Sequence, residues 1–403
     1  MYRIRGARAY YLVATLLFVS ALIMPALGLQ ITASLQSSGT IIYPTGFFYG
    51  VCAHPWALTE RDFQEMQTLG VKYVRMDFRW PDIEKTRDAP WDFTEKGGWS
   101  PKESYDTFVG LARKYGIEII ALLNKVPSWI SPSGDTIIPP TGPEFDDFVT
   151  QFGQLVYAVV DHYKGDITYF EIWNEPNTRT FWTDAEGTRY HDFIHGEATR
   201  KYVLLLQEAY TQAKAANPNC VLITGGIAND HKYLQEMYSY GAKGYFDVFG
   251  SHPYFANSPT KNWDVDYINP HEHEWHFPKI QYMRDVMVAN GDEAKRILIT
   301  EVGVDGDYGG VEGPEGPTTQ EIQADRLTRV FEKTQQEFPY VEGIMWYQLK
   351  DTHKAYSSVP VTIANWGLFR MNGPWDPDYP NVVDYTPRLM YYAYKQLISA
   401  SST

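Results

Sequence analysis

The sequence predicts a (β/α)8 barrel, the TIM-barrel class of α/β fold, built as a single domain with elaborated strand-to-helix loops. Three observations predict it. Eight short β-rich runs alternate with eight amphipathic helical patterns. Helix-to-strand links are short (115–116, 164–166, 217–219, 338–342), whereas strand-to-helix links are long (78–100, 124–143, 174–196, 252–276, 301–318, 348–386). Neither an internal repeat nor a low-complexity linker divides the chain after residue 45. Alternation implies parallel strands with both sheet faces covered, and eight units suffice to close the sheet. Long loops on one side place the elaborated end at the carboxyl ends of the strands, where barrels carry their sites.

The elements follow in order. Residues 1–28 read as a secretory signal or a membrane anchor. Arg3, Arg5 and Arg8 precede an apolar run from Tyr10 to Met24, and Pro25-Ala26-Leu27-Gly28 supplies a small-x-small cleavage pattern. Residues 29–45 are a Ser/Thr/Gly-rich linker, and 46–403 form the barrel domain. Strands are expected over 47–53, 71–77, 117–123, 167–173, 221–225, 246–251, 297–300 and 343–347. Helices are expected over 59–69, 101–115, 144–163, 197–216, 231–240, 277–290, 319–337 and 387–398. The fourth helix shows the logic: Tyr202, Leu205, Leu206, Ala209, Ala213 and Ala216 recur at three- and four-residue steps, and Asn217-Pro218 ends the run.

Composition narrows the function. The 403 residues are 44% hydrophobic, which is enough apolar material for a folded core. A net charge of −14 repels phosphate backbones, so nucleic acid is not an expected partner. Aromatic residues make up 15% of the chain, a share that suits stacking on flat apolar faces. Cys52 and Cys220 fall at opposite ends of their strands, beyond disulfide reach, and are expected as free buried thiols. Dinucleotide, phosphate-loop and Gly-x-Ser-x-Gly signatures are absent from the sequence, and no cofactor is expected.

Two apolar strands end on carboxylates. Glu171-Ile172-Trp173-Asn174-Glu175-Pro176-Asn177 closes the fourth, and Ile297-Leu298-Ile299-Thr300-Glu301-Val302-Gly303 closes the seventh. Both would open into one barrel mouth. This pattern resembles clan A of the retaining glycoside hydrolases, with family 39 nearest and family 5 similar. The resemblance implies Glu175 as acid/base and Glu301 as nucleophile, with Asn174 on the substrate 2-hydroxyl. It also implies Arg75, in Val74-Arg75-Met76-Asp77, beside the nucleophile. It implies His252 and Tyr254, in His252-Pro253-Tyr254, facing Glu301, and Trp346 as the floor under a sugar. One departure is Val302-Gly303 after Glu301, where the clan often carries Trp. His54, Asn124 and Trp129 are expected around the cleft, and Trp182, Trp263, Asp351 and Trp366 on upper loops. The implied activity is cleavage of β-glycosidic bonds in an exported or cell-surface setting, with an oligo- or polysaccharide as partner and membrane contact only through an uncleaved anchor.

Two other readings use the same residues. One is a carbohydrate-binding barrel without catalysis. The other is a metal-dependent barrel hydrolase using His271, His273 and His276, whose spacing is not that of a helical zinc motif, so no metal is expected.

Overall fold

The computed structural model describes residues 46–95, 103–131, 137–183, 188–190, 193–255, 276–304, 319–351, 366–370 and 385–401. The expected signal and linker, His271, His273, Trp263 and residues 305–318 of the 301–318 link lie outside the described residues. No described helix is long and apolar enough to cross a membrane.

Eight parallel strands close into a barrel: β1 (Phe48–Cys52), β2 (Tyr73–Arg79), β3 (Glu118–Asn124), β4 (Tyr169–Asn174), β5 (Val221–Ala228), β6 (Val248–His252), β7 (Arg296–Val302) and β8 (Val341–Trp346). Each pairs with its neighbours in sequence, and β8 closes on β1 through Val51 opposite Trp346. The surrounding helices are α1 (Glu60–Leu69), α2 (Tyr105–Tyr115), α3 (Phe145–His162), α4 (Glu197–Ala216), α5 (His231–Ser239), α6 (Ile280–Ala289), α7 (Gln320–Glu337) and α8 (Leu389–Ala400). The predicted fold class is therefore the observed one. Among the strands the largest boundary difference is at β5, which runs three residues past its expected end, to Ala228, and among the helices at α2, which begins at Tyr105 instead of 101. Thr188–Tyr190 and Phe193–His195 pair as a small ribbon in the loop after β4, an element that periodicity did not signal.

Period-two alternation divides the side chains. Along β2, Val74, Met76 and Phe78 join the core between strands and helices, while Tyr73 packs with the barrel interior. An aromatic plug fills the lower barrel: Phe48 stacks on Tyr73 at 4.1 Å, with Tyr169 edge-on to both. Above it, Gly50 leaves room for Met345, whose sulfur sits 2.3 Å from where a Cβ at position 50 would be. The upper interior is polar, and there the site begins.

Three bulges break the alternation. In β7, three steps from Ile299 to Val302 oppose two steps from Ile344 to Trp346. The extra residue lets both Thr300 and Glu301 reach inward contacts, although they are adjacent. In β5, four steps from Ile223 to Ile227 oppose three from Val248 to Ser251. In β8, a bulge falls at Glu342, whose buried carboxylate has no hydrogen-bond partner among the described residues. Burial pushes its pKa to about 7, against the pull of Arg296. A carboxyl raised above its unfolded value destabilises the fold increasingly from about pH 4.5 to about 7, and fully above that. We therefore expect Glu342→Gln to stabilise the protein at pH 8 by up to about 3 kcal/mol and to change little at pH 5. Urea melts at the two pH values measure the difference, and equal gains at both would contradict the assignment.

Candidate active site

The site is a two-layer hydrogen-bonded network at the carboxyl ends of β2, β4, β6 and β7. Its lower layer is built on Glu171, which is fully buried. Glu171 accepts from Arg75 Nε at 2.5 Å and from the Gly226 N–H at 2.9 Å. The remaining guanidinium nitrogens turn upward. Nη1 donates to Glu301 Oε1, and Nη2 donates to Asn174 Oδ1 at 2.7 Å. One planar fork thus fixes a structural carboxylate, a mouth carboxylate and a mouth amide in a single geometry. The carboxylates of Glu171 and Glu301 outweigh the effect of burial and keep Arg75 cationic.

The upper layer holds the two mouth carboxylates and their partners. Tyr254 Oη donates to Glu301 Oε2 at 3.0 Å. Burial, together with the Glu301 charge, holds this phenol well above its ordinary pKa, so it remains a donor. His252 Nδ1 lies 2.9 Å from Glu175 Oε1 and 3.7 Å from Glu301 Oε2. An oxygen of Glu175 and one of Glu301 lie within 4.8 Å of each other. Both side chains keep a window to solvent, 14% and 13% exposed.

Their surroundings differ. Glu301 faces two donors, Arg75 and Tyr254. Burial pushes the Glu175 carboxyl up to about 7, Arg75 pulling against this and Glu171 adding to it. Burial also drives His252 down to about 4, so its ring is neutral near pH 7, despite the opposing charge of Glu301. The backbone is contorted at the same place. Trp173 and Glu175 both have positive φ, 71° and 40°, on either side of Asn174. Such conformations in residues with a Cβ are held only where the surroundings over-determine them, and they concentrate at working sites.

A rim surrounds the pair. His54 bridges Asp77 (Nδ1 to Oδ2, 3.2 Å) and Tyr347 (Nε2 to Oη, 3.1 Å), its ring stacked 4.2 Å from Trp56. Asn124 donates to Asp77 Oδ1 at 2.8 Å. Burial alone would raise Asp77, but His54, Lys125 and Asn124 together hold it below the usual carboxylate range. Half-buried Trp366 stands edge-on to Tyr254 at 5.6 Å and to Tyr347 at 6.0 Å. A Cβ at Gly303 would lie 2.8 Å from the Trp366 ring, so the Val302-Gly303 pair makes room for an indole supplied by a later loop.

The structure brings Glu175, Glu301, Asn174, Arg75, His252 and Tyr254 together, with His54 on the rim. His252 is fully buried, so it braces the two carboxylates instead of lining the cleft. Trp346 is corrected: it is fully buried in the core behind the sheet, tilted against Phe331 of α7 at 6.3 Å. Alternation sends Met345 and Tyr347 to the interior and Trp346 outward. Trp129 is half-buried and lies outside the network; it packs against Trp80 at 5.4 Å and donates to the Glu84 carbonyl. Trp182 is buried among Trp173, Tyr202 and Phe145, and Asp351 pairs with Arg388 at 2.6 Å. Cys52 and Cys220 are free and buried. His276 is buried at the start of the segment leading to α6. Among the described residues, the one group that could share a metal ion is Glu175, His252 and Glu301, within the site itself. Sequence reasoning missed Glu171, Thr300 and Tyr347 as members of the network. Period-two spacing from Tyr169 and from Met345 was the signal for the first and the last.

No protein-family model matches the chain, and no curated protein matches it by sequence. Solved structures do match. A family 39 glycoside hydrolase from the gut symbiont Bacteroides cellulosilyticus superposes with a TM-score of 0.62 at 20% identity, over 87% of this chain and 63% of its own. The family 39 enzyme from Xanthomonas axonopodis gives 0.59 at 16% identity, over 88% of this chain and 66% of its own. A monomeric β-xylosidase from Caulobacter crescentus gives 0.56 at 17% identity, over 87% and 68%. The chain thus spans about two thirds of the length of these structures. What the likeness shows is a shared fold: this chain has the (β/α)8 barrel of these glycoside hydrolase structures.

Proposed function

We propose that the protein is a retaining glycoside hydrolase that cleaves β-O-glycosidic bonds in an oligo- or polysaccharide. The observation that carries this reading is the pair of facing carboxylates, oxygens within 4.8 Å, in unequal electrostatic settings. Double displacement uses two carboxyls about 5–5.5 Å apart, whereas inversion needs about 6.5–9.5 Å to admit a water. In the first step a lone pair of Glu301 attacks the anomeric carbon. The bond to the leaving oxygen breaks, and the Glu175 proton passes to that oxygen. In the second step Glu175, now a carboxylate, takes a proton from water as that water displaces Glu301. Asn174, oriented by Arg75, is placed to hydrogen-bond the sugar 2-hydroxyl, and Trp366 to stack on its apolar face. Export rests on the basic and apolar segment 1–28.

A panel of aryl β-glycosides tests the reading, led by xylosides, since solved relatives are named β-xylosidase and xylanase. Because the acid must be protonated in the free enzyme, kcat/KM should fall as pH rises through about 7, the value burial gives Glu175. Glu175→Gln should abolish that limb. It should also cost about 10²–10⁴-fold on poor leaving groups. An unchanged alkaline limb in this variant would remove Glu175 from the role.

A further inference from the structure

Thr300 stands immediately before Glu301 and is fully buried. Its hydroxyl has one partner among the described residues, His252 Nε2 at 3.0 Å. The other ring nitrogen, Nδ1, faces two carboxylate oxygens, Glu175 Oε1 at 2.9 Å and Glu301 Oε2 at 3.7 Å. A neutral imidazole has one donor and one acceptor, so these contacts admit two arrangements. With the proton on Nε2, the Thr300 hydroxyl hydrogen is left without an acceptor among the described residues, and the bare Nδ1 lone pair faces Glu175 Oε1, from which it would have to accept the acid proton itself. With the proton on Nδ1, Thr300 donates to Nε2, Nδ1–H donates to Glu175, and every group is satisfied. The ring packs closely on the β5 backbone: a Cβ at Gly226 would lie 1.9 Å from Nε2, so a glycine there makes room for the imidazole.

We propose that Thr300 is a positioning residue that locks His252 as the Nδ1–H tautomer, which occupies Glu175 Oε1 and confines the acid proton to Oε2. This inference rests on the glycosidase reading of the same site. The carboxyl then keeps the same neighbour through both steps. The Oε2–H bond breaks as the leaving oxygen takes the proton, and Oε2 regains a proton from the attacking water, while Oε1 accepts from Nδ1–H throughout. Neither Thr300 nor His252 exchanges a proton with substrate.

Two measurements test it. The first is nitrogen NMR of protein carrying 15N-imidazole histidine, with the His252 signals assigned by their loss in His252→Gln. Nδ1 should show the protonated, pyrrole-type resonance and Nε2 the bare, pyridine-type one, and the reverse assignment overturns the proposal. The second compares leaving groups. Thr300→Val should lose about 10- to 100-fold on alkyl or sugar leaving groups, which need the proton, and far less on dinitrophenyl glycosides, which do not. Thr300→Ser, which keeps the hydroxyl, should restore the poor leaving groups. Equal losses on both classes, or no loss on either, contradict the lock. If the unaltered protein hydrolyses no glycoside of any class, the glycosidase reading fails, and the NMR result still decides the tautomer.

Discussion

Glu301→Gln will leave a folded protein whose hydrolysis of aryl β-glycosides is reduced by about 10⁴-fold or more, the scale on which loss of a nucleophile is felt. Shape is nearly conserved by this change: the amide oxygen can still accept from Arg75, while the amide NH2 donates to the Tyr254 oxygen in a reversed bond. Stability should therefore change modestly, and the loss should lie in kcat. Glu301→Ala opens space at the same point. Added azide or formate should then restore part of the turnover on activated glycosides and yield product of inverted configuration. Near-normal turnover in either variant would remove Glu301 from the chemistry.

Arg75→Met should be the most destabilising change within the network. Three acceptors lose their donor together: Glu171, Glu301 and Asn174. Glu171 cannot recover through solvent, since it is fully buried and keeps only the Gly226 N–H. Removing one partner of a buried ion pair costs about 3–5 kcal/mol, because the remaining charge is uncompensated. The double variant Arg75→Met/Glu171→Gln should regain much of that stability, its lower carboxylate being neutral. Turnover should stay low in both, since Glu301 and Asn174 remain unoriented. Denaturant melts beside kinetics separate the two effects. A single variant as stable as the parent would show that the fork does not carry the lower layer.

Much of this is legible in the sequence. Strand-and-helix alternation and the asymmetry of the links define the barrel, and carboxylates ending two apolar strands define the pair. Period-two spacing along β2 also puts Arg75 and Asp77 on one side of the sheet. The misreadings have physical causes. The family resemblance implies Trp346 as the sugar floor, but strand parity decides the face, and one residue of offset puts it behind the sheet. Tyr347, its neighbour, received the inward direction. Bulges act the other way. Strict alternation makes Thr300 and Glu301 face opposite sides, and only the extra residue in β7 lets both reach the interior. No local pattern marks that bulge, because it is defined against the register of β8. Trp366 was visible as an aromatic on a long loop, yet its place over Gly303 depends on a contact across 63 positions of sequence.

The central claim is that Glu301 forms a bond to sugar while Glu175 manages the proton. Trapping tests it most directly. The protein is incubated with a 2-deoxy-2-fluoro β-glycoside bearing an activated leaving group, then digested and mapped by mass spectrometry. The account predicts one fluorosugar per chain on the peptide containing Glu301, with release of the leaving group in a matching burst and slow recovery of activity. Label on another residue, or sustained turnover with no labelled peptide, would contradict it.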